Sequence, residues 1–125
     1  MCPPKPPLDG FPYERDPRSQ PLTISIEDGN YVYVQDLNGT VFVLPDGSHL
    51  HPKVLAKGSP AMYAGDLQIK MGTVVDVTNL SGSFQFDEPQ GLLAVAMQIE
   101  SPGIAMASGA VRFFPMDGSQ PYILK

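Results

Sequence analysis

The chain has 125 residues, 42% of them apolar and 17% charged, which excludes both a disordered tail and a membrane-spanning bundle and fits one domain. Surface scaling for this mass buries roughly two-thirds of the unfolded chain's surface, enough for one self-sufficient core. Thirteen acidic against eight basic residues leave a net charge of −5, a sign that argues against nucleic acid or an anionic membrane as the main partner.

A single cysteine, Cys2, excludes an intramolecular disulfide and a four-cysteine metal site, so a reducing, cytoplasmic setting is expected. Met1 to Pro7 lack the apolar stretch of a signal peptide, and the longest apolar run, Leu92 to Met97, is far short of a bilayer span.

Half of the fourteen prolines fall between Pro3 and Pro21. Proline fixes φ and removes a donor, so residues 1–21 read as an extended arm, with Phe11 and Tyr13 as anchors onto a single domain over 22–125. Leu22, Ile24 and Ile26 alternate with polar residues and predict a first strand. Asp28-Gly29 then turns the chain into Tyr31 to Val34, and Asn38-Gly39 turns it into Thr40 to Leu44, completing a three-stranded meander. Residues 45–62 read as a loop carrying both histidines. Asp66 to Lys70 and Thr73 to Thr78 form a hairpin about Met71-Gly72, and Phe84 and Phe86 suggest a short edge strand.

One helix is predicted near 88–100, capped by Asp87, with Pro89 in its first turn and Gln90 completing a capping box. Its buried face is built on Leu92, Ala96 and Ile99, with Leu93 and Met97 beside it. Ser101-Pro102-Gly103 ends it, and strands over Ala110 to Phe114 and Tyr122 to Leu124 follow. The expected fold is α+β, mainly antiparallel sheet, with the helix packed on the sheet because twelve residues are marginal alone.

His49-Leu50-His51 is the sharpest chemical feature, since residues two apart on an extended segment project to one side and can share a metal. No acid follows at Pro52 to Leu55 and there is no third histidine, so a metal would need Asp46, Asp66 or Asp76, of which Asp66 is the preferred third ligand. No nucleophile elbow and no glycine-rich phosphate loop is present; the sequence implies no cofactor and names no catalytic residue. Tyr31 and Tyr33 share a strand face, which reads either as a protein-binding patch or as a cross-strand aromatic ladder.

From His51 to Gly103 the order of short motifs is more specific. His51-Pro52 is followed by Tyr63-Ala64-Gly65-Asp66-Leu67, a hairpin about Gly72, Asn79-Leu80-Ser81-Gly82-Ser83-Phe84, and a helix after Pro89. This resembles a module of bacterial polymorphic toxin and effector proteins, with Ala-Gly-Glu leading a strand and Asn-x-Ser-Gly-His-Tyr before a helix. Here Asp66 stands for the glutamate, and Ser83 and Phe84 stand for the histidine and tyrosine, so the proton-transferring groups of that corner are missing. Asn79, Ser81 and Gly82 remain as turn builders.

The resemblance implies an accessory or recognition role. The expected function is a non-catalytic module that binds a protein partner, linked to a toxin, effector or defence system. Its expected surface combines Tyr31, Tyr33, His49, His51, Asn79, Ser81 and Phe84. Two other readings are a small metal-dependent enzyme or metal-binding protein using the His49/His51 loop, and a self-associating structural subunit of a larger assembly.

Overall fold

A computed structural model describes residues 4–6, 16–45, 54, 60–81, 84 and 86–125. The fold is α+β, an eight-stranded, mostly antiparallel sheet with one helix among the described residues. The strands are β1 (Gln20–Pro21), β2 (Gly29–Gln35), β3 (Val41–Pro45), β4 (Tyr63–Lys70) and β5 (Thr73–Thr78). After the helix α1 (Pro89–Glu100) come β6 (Ala105–Met106), β7 (Val111–Phe113) and β8 (Tyr122–Ile123). The lateral order is β1-β3-β2-β4-β5-β7-β8, with β6 beside the start of β5.

Two of the three expected hairpins form with their turns. Asn38-Gly39 closes β2 onto β3, pairing Tyr33 with Val43, and Gly39 sits at φ +86, where a side chain would be strained. Asp36 organises the same turn, its carboxylate accepting the N–H groups of Asn38 and Thr40. Met71-Gly72 closes β4 onto β5 with both residues at positive φ, Met71 at 53°. That conformation costs a residue with a Cβ roughly 1–2 kcal/mol, and Asp28 offsets it by accepting the N–H groups of both Met71 and Gly72.

The expected strand over Leu22 to Ile26 does not form. Leu22 N–H still donates to the Val41 carbonyl, but Ile26 N–H turns back to Thr23, and the Thr23 and Ser25 hydroxyls bond each other. Such local bonding by hydroxyl side chains competes with a ladder, and Ile24 is left 68% exposed. The short β1 lies outside β3, so the sheet runs β1-β3-β2 rather than as a simple meander. Of the proline-rich arm, Lys5 is laid on the body by a two-way backbone bridge to Ala61. Phe11 and Tyr13 lie outside the described residues.

Between β5 and β7 the chain crosses through α1 and returns parallel, β6 against Thr73–Val74 and β7 against Val77–Thr78. A parallel return needs a connection of about a dozen residues or more, which the helix provides. Its N-cap is Glu88 rather than Asp87, with no side-chain cap bond; the Asp87 carboxylate instead accepts the Met116 N–H. The expected capping box is therefore absent, and Pro89 at the first turn supplies the preset φ. Phe84 and Phe86 are buried in the core rather than forming an edge strand, and Phe86 stacks on Tyr63 at 4.8 Å between centroids.

Pairing sorts the sheet into two faces. Tyr31, Tyr33, Tyr63, Leu67, Ile69, Val77, Val111 and Phe113 share the face under α1, which buries Gly91, Leu92, Val95, Ala96 and Ile99. Val32, Val34, Leu44 and Ala64 on the other face are buried as well. At the centre, Gly65 faces Tyr33, and a Cβ there would stand 1.8 Å from the Thr78 carbonyl oxygen and 3.0 Å from the Tyr33 ring. Gly65→Ala is therefore expected to destabilise the fold by about 3 kcal/mol or more, read from denaturant unfolding midpoints, since backbone rather than a flexible side chain must move. A wild-type midpoint for that variant would refute the packing described.

Candidate functional site

The Tyr31 and Tyr33 side chains do not form an exposed patch. Tyr33 is fully buried and donates its hydroxyl to the Thr78 carbonyl at 2.7 Å; burial, then Tyr63 and Asp66, push its phenol well above the ordinary value. Tyr31 is buried too and donates to the Glu27 carbonyl at 2.7 Å, its phenol raised by burial and then by Glu27 and Asp28. Both faces of β2 are covered, so alternation alone could not tell which tyrosines meet solvent. Neither tyrosine meets an aromatic ring across the ladder either: Tyr31 pairs with Pro45 and Leu67, Tyr33 with Val43 and Gly65, and Phe42 pairs with Val34 on the other face.

Of the corner residues, Asn79 and Phe84 are buried and Ser81 is half-buried. The Asn79 amide donates to the Phe86 and Phe114 carbonyls, both at 2.9 Å, and its carbonyl oxygen accepts the Phe114 N–H at 2.8 Å. One buried side chain thus ties the end of β5 to the segment before α1 and the segment after β7. The Ser81 hydroxyl accepts the Phe84 N–H at 3.1 Å, and the Phe84 ring is core. Asp66 is half-buried on β4, its N–H bonded to the Thr78 hydroxyl. His49, His51 and Asp46 lie outside the described residues. Among the described residues, no three His, Cys, Asp or Glu side chains converge on a metal position.

Charged groups on the surface are joined in pairs. Arg112 grips Asp76 by two bonds of 2.6 and 2.8 Å across β5 and β7, and lies over the Phe114 ring at 5.1 Å. Arg18 holds Asp16 in the same forked way. At the two ends of α1, Lys5 stands 3.8 Å from Glu88, and Lys125 bonds Glu100.

Among the described residues, open clefts lie beside the sheet. One, of about 470 Å³, runs between residues 17–20 and 23–27 over Tyr31 and Pro45. Its strongest polar groups, the Arg18 guanidinium and the Tyr31 hydroxyl, are bonded to Asp16 and to the Glu27 carbonyl. Another, of about 250 Å³, lies between the C-terminal part of α1 (Gln98, Ser101, Pro102) and Leu22, Thr40 and Val41.

Beside that second cleft is the feature sequence reading misassigned. Leu93 and Met97 are not part of the buried stripe, where Val95 takes their place; they face outward with Gln90, Ala94 and Gln98. Met97 is 70% exposed and Leu93 37%. The outward positions 90, 93, 94, 97, 98 and 101 follow helical spacing, and none carries a charge. The signal was in the sequence: no charged residue occurs from Pro89 to Ile99. A lone surface helix is ordinarily charged opposite its buried stripe. Comparison with protein-family models, curated proteins and solved structures finds no match for this chain.

Two outcomes test this assignment of roles. Asn79→Ala leaves the buried Phe86 carbonyl and the half-buried Phe114 carbonyl and N–H without their partner, and at about 1–3 kcal/mol for a buried orphaned group should cost about 2 kcal/mol or more in denaturant unfolding. A loss below about 1 kcal/mol would mean the amide is not a staple. Asp28 is held below the ordinary carboxylate value, first by the Gly72 N–H and then by the Met71 N–H. Its stabilising contribution is therefore complete above the unfolded value of about 4 and is lost as pH falls through the lower folded value. Between about pH 5 and pH 2 the unfolding midpoint of wild type should fall more steeply than that of Asp28→Asn; parallel curves would remove the clamp from the account of the hairpin.

Proposed function

We propose that this protein is a non-catalytic module that binds another protein chain through the outer face of α1. The supporting observation is the double stripe of that helix: Leu92, Val95, Ala96 and Ile99 are buried on the sheet, while Leu93, Ala94 and Met97 present a second, uncharged apolar stripe outward. A lone surface helix ordinarily carries charge opposite its buried stripe, and exposed apolar patches on soluble domains mark contact surfaces. Leu37, 56% exposed in the β2–β3 turn, and Ile24 extend it: Gly39 of that turn approaches Gln98, and the Ile24 side chain approaches Gly103 beyond the helix.

The sheet edges support the helix face over strand addition. Both edge strands, β1 and β8, are two residues long; Pro21 lies in one and Pro121 precedes the other. Short edges with proline resist pairing with a further strand. Asn79 and Ser81, the polar groups remaining at the corner that the toxin and effector module would equip for chemistry, are engaged here in hydrogen bonds that hold the fold together. An accessory role beside a toxin, effector or defence protein, in the reducing cytoplasm that one cysteine suits, is the setting we propose. No helix among the described residues is long and apolar enough to cross a membrane.

The test is site-specific photocrosslinking of the full chain in the cells that make it. A photoreactive residue at position 97 should give a discrete protein adduct, and the same residue at Asn30, exposed on the opposite face, should give none. A Met97→Glu substitution should remove adducts formed from position 93. Equal labelling from positions 97 and 30 would overturn the proposal.

A further inference from the structure

Resting on that reading, we infer that the partner of the α1 face is a second copy of this chain, joined in an antiparallel, two-fold helix pair. Charge favours it. Each copy carries −5, so two copies repel wherever acidic surface meets acidic surface. The α1 face avoids this, having no charge from Pro89 to Ile99, and the acids at its two ends, Glu88 and Glu100, are neutralised by Lys5 and Lys125.

The order of side chains on the stripe is also self-complementary. A two-fold contact places residue i against j and j against i. With the axis midway between Ala94 and Met97, the long Met97 side chain of each copy lies over the small Ala94 of the other. Leu93 then meets Gln98, and Gln90 meets Ser101, so the polar residues of the stripe flank an apolar centre. Large against small across facing positions is how helices interdigitate, and a thioether adapts to the gap it fills. Pairing the stripe with an unlike, charged surface would leave that charge facing Leu93 and Met97 unpaired.

Size sets the strength. A helix of 12 residues is about 18 Å long, and even with Leu37 and Ile24 it makes a small interface against the roughly 800 Å² per partner of a standard one. The dimer should therefore be weak and reversible, and strengthened by salt, which screens the −5 charges while leaving the apolar contact intact.

Sedimentation equilibrium of the purified full chain should show a reversible monomer–dimer equilibrium. Met97→Glu and Met97→Lys, both confirmed folded by circular dichroism, should each weaken it at least about tenfold, the equivalent of 1.4 kcal/mol. Register is read separately in a Cys2→Ser background. A mixture of Ala94→Cys and Met97→Cys chains, oxidised mildly, should yield the 94–97 linked peptide in excess over 94–94 and 97–97, measured by mass spectrometry. A monomer at millimolar concentration with no 94–97 excess would overturn the inference. Its failure is distinguishable from failure of the docking reading. A photo-adduct from position 97 at twice 13.5 kDa supports self-pairing, and one of another mass overturns it while leaving the docking face in place. With no adduct and no dimer, both are overturned.

Discussion

The contact on which the rest of the structure depends is the reach of Tyr33 across β4 to the Thr78 carbonyl, over a glycine that has no side chain to block it. Tyr33 and Gly65 are direct partners in the β2–β4 ladder, and any Cβ on Gly65 would overlap the Thr78 carbonyl. The missing side chain lets the end of β5 close over β4, and the phenol satisfies the carbonyl that arrives there. Three strands are thereby fixed by one ring. The next residue, Asn79, starts from this fixed point and fastens Phe86 and Phe114, so the segments before α1 and after β7 inherit their positions from the same place. Tyr63 completes the chain of contacts, stacking on Phe86 and donating its hydroxyl to the Glu88 carbonyl at the N-cap of α1.

This sequence of constraints explains why the end of β5 is dense with polar side chains that are engaged in interior hydrogen bonds. Burying a carbonyl without a partner costs about as much as several ordinary hydrogen bonds contribute, so an interior crossing of three chain segments must carry its own donors. Asn79, Tyr33 and Tyr63 supply them, and the Thr78 hydroxyl accepts the Asp66 and Leu80 N–H groups. Residue types suited to proton transfer or recognition are equally suited to this work, and composition alone does not separate the two uses.

What was legible in the sequence follows the range of the interactions involved. Asn38-Gly39 and Met71-Gly72 specify their turns within four residues, and both hairpins stand where those pairs put them. The helix was equally clear, because Pro89 and the spacing of Leu92, Ala96 and Ile99 act within one element. Three features were not legible, each decided by distant partners. Tyr31 and Tyr33 alternate as a half-exposed strand would, yet β2 lies between β3 and β4 with both faces covered. Leu22 to Ile26 alternates as a strand, but its hydroxyls bond one another and its end of β3 is already paired with Gln20 and Pro21. The parallel return of β6 and β7 depends on where α1 crosses the sheet, which no local pattern encodes. Within the helix, local periodicity places Leu92, Ala96 and Ile99 on the buried face, as found, but leaves the side taken by Leu93 and Met97 ambiguous.

That last ambiguity carries the functional argument. A helix with one apolar stripe has one way to sit on a sheet; a helix with two can sit either way unless something else breaks the tie. Here the tie is broken at the ends of α1: Tyr63 takes the Glu88 carbonyl, and Lys125, held near β7 by the Val111 N–H donating to its carbonyl, takes the Glu100 carboxylate. With the orientation set by polar contacts at both ends, Leu93 and Met97 are not needed to hold the helix down. Side chains that folding does not need, left apolar where solvent would favour charge, are free to be shaped by a second requirement. Binding and stability are therefore separable on this helix: changes at Leu92 or Ile99 act on the core, while changes at Leu93 or Met97 act on whatever meets the outer stripe.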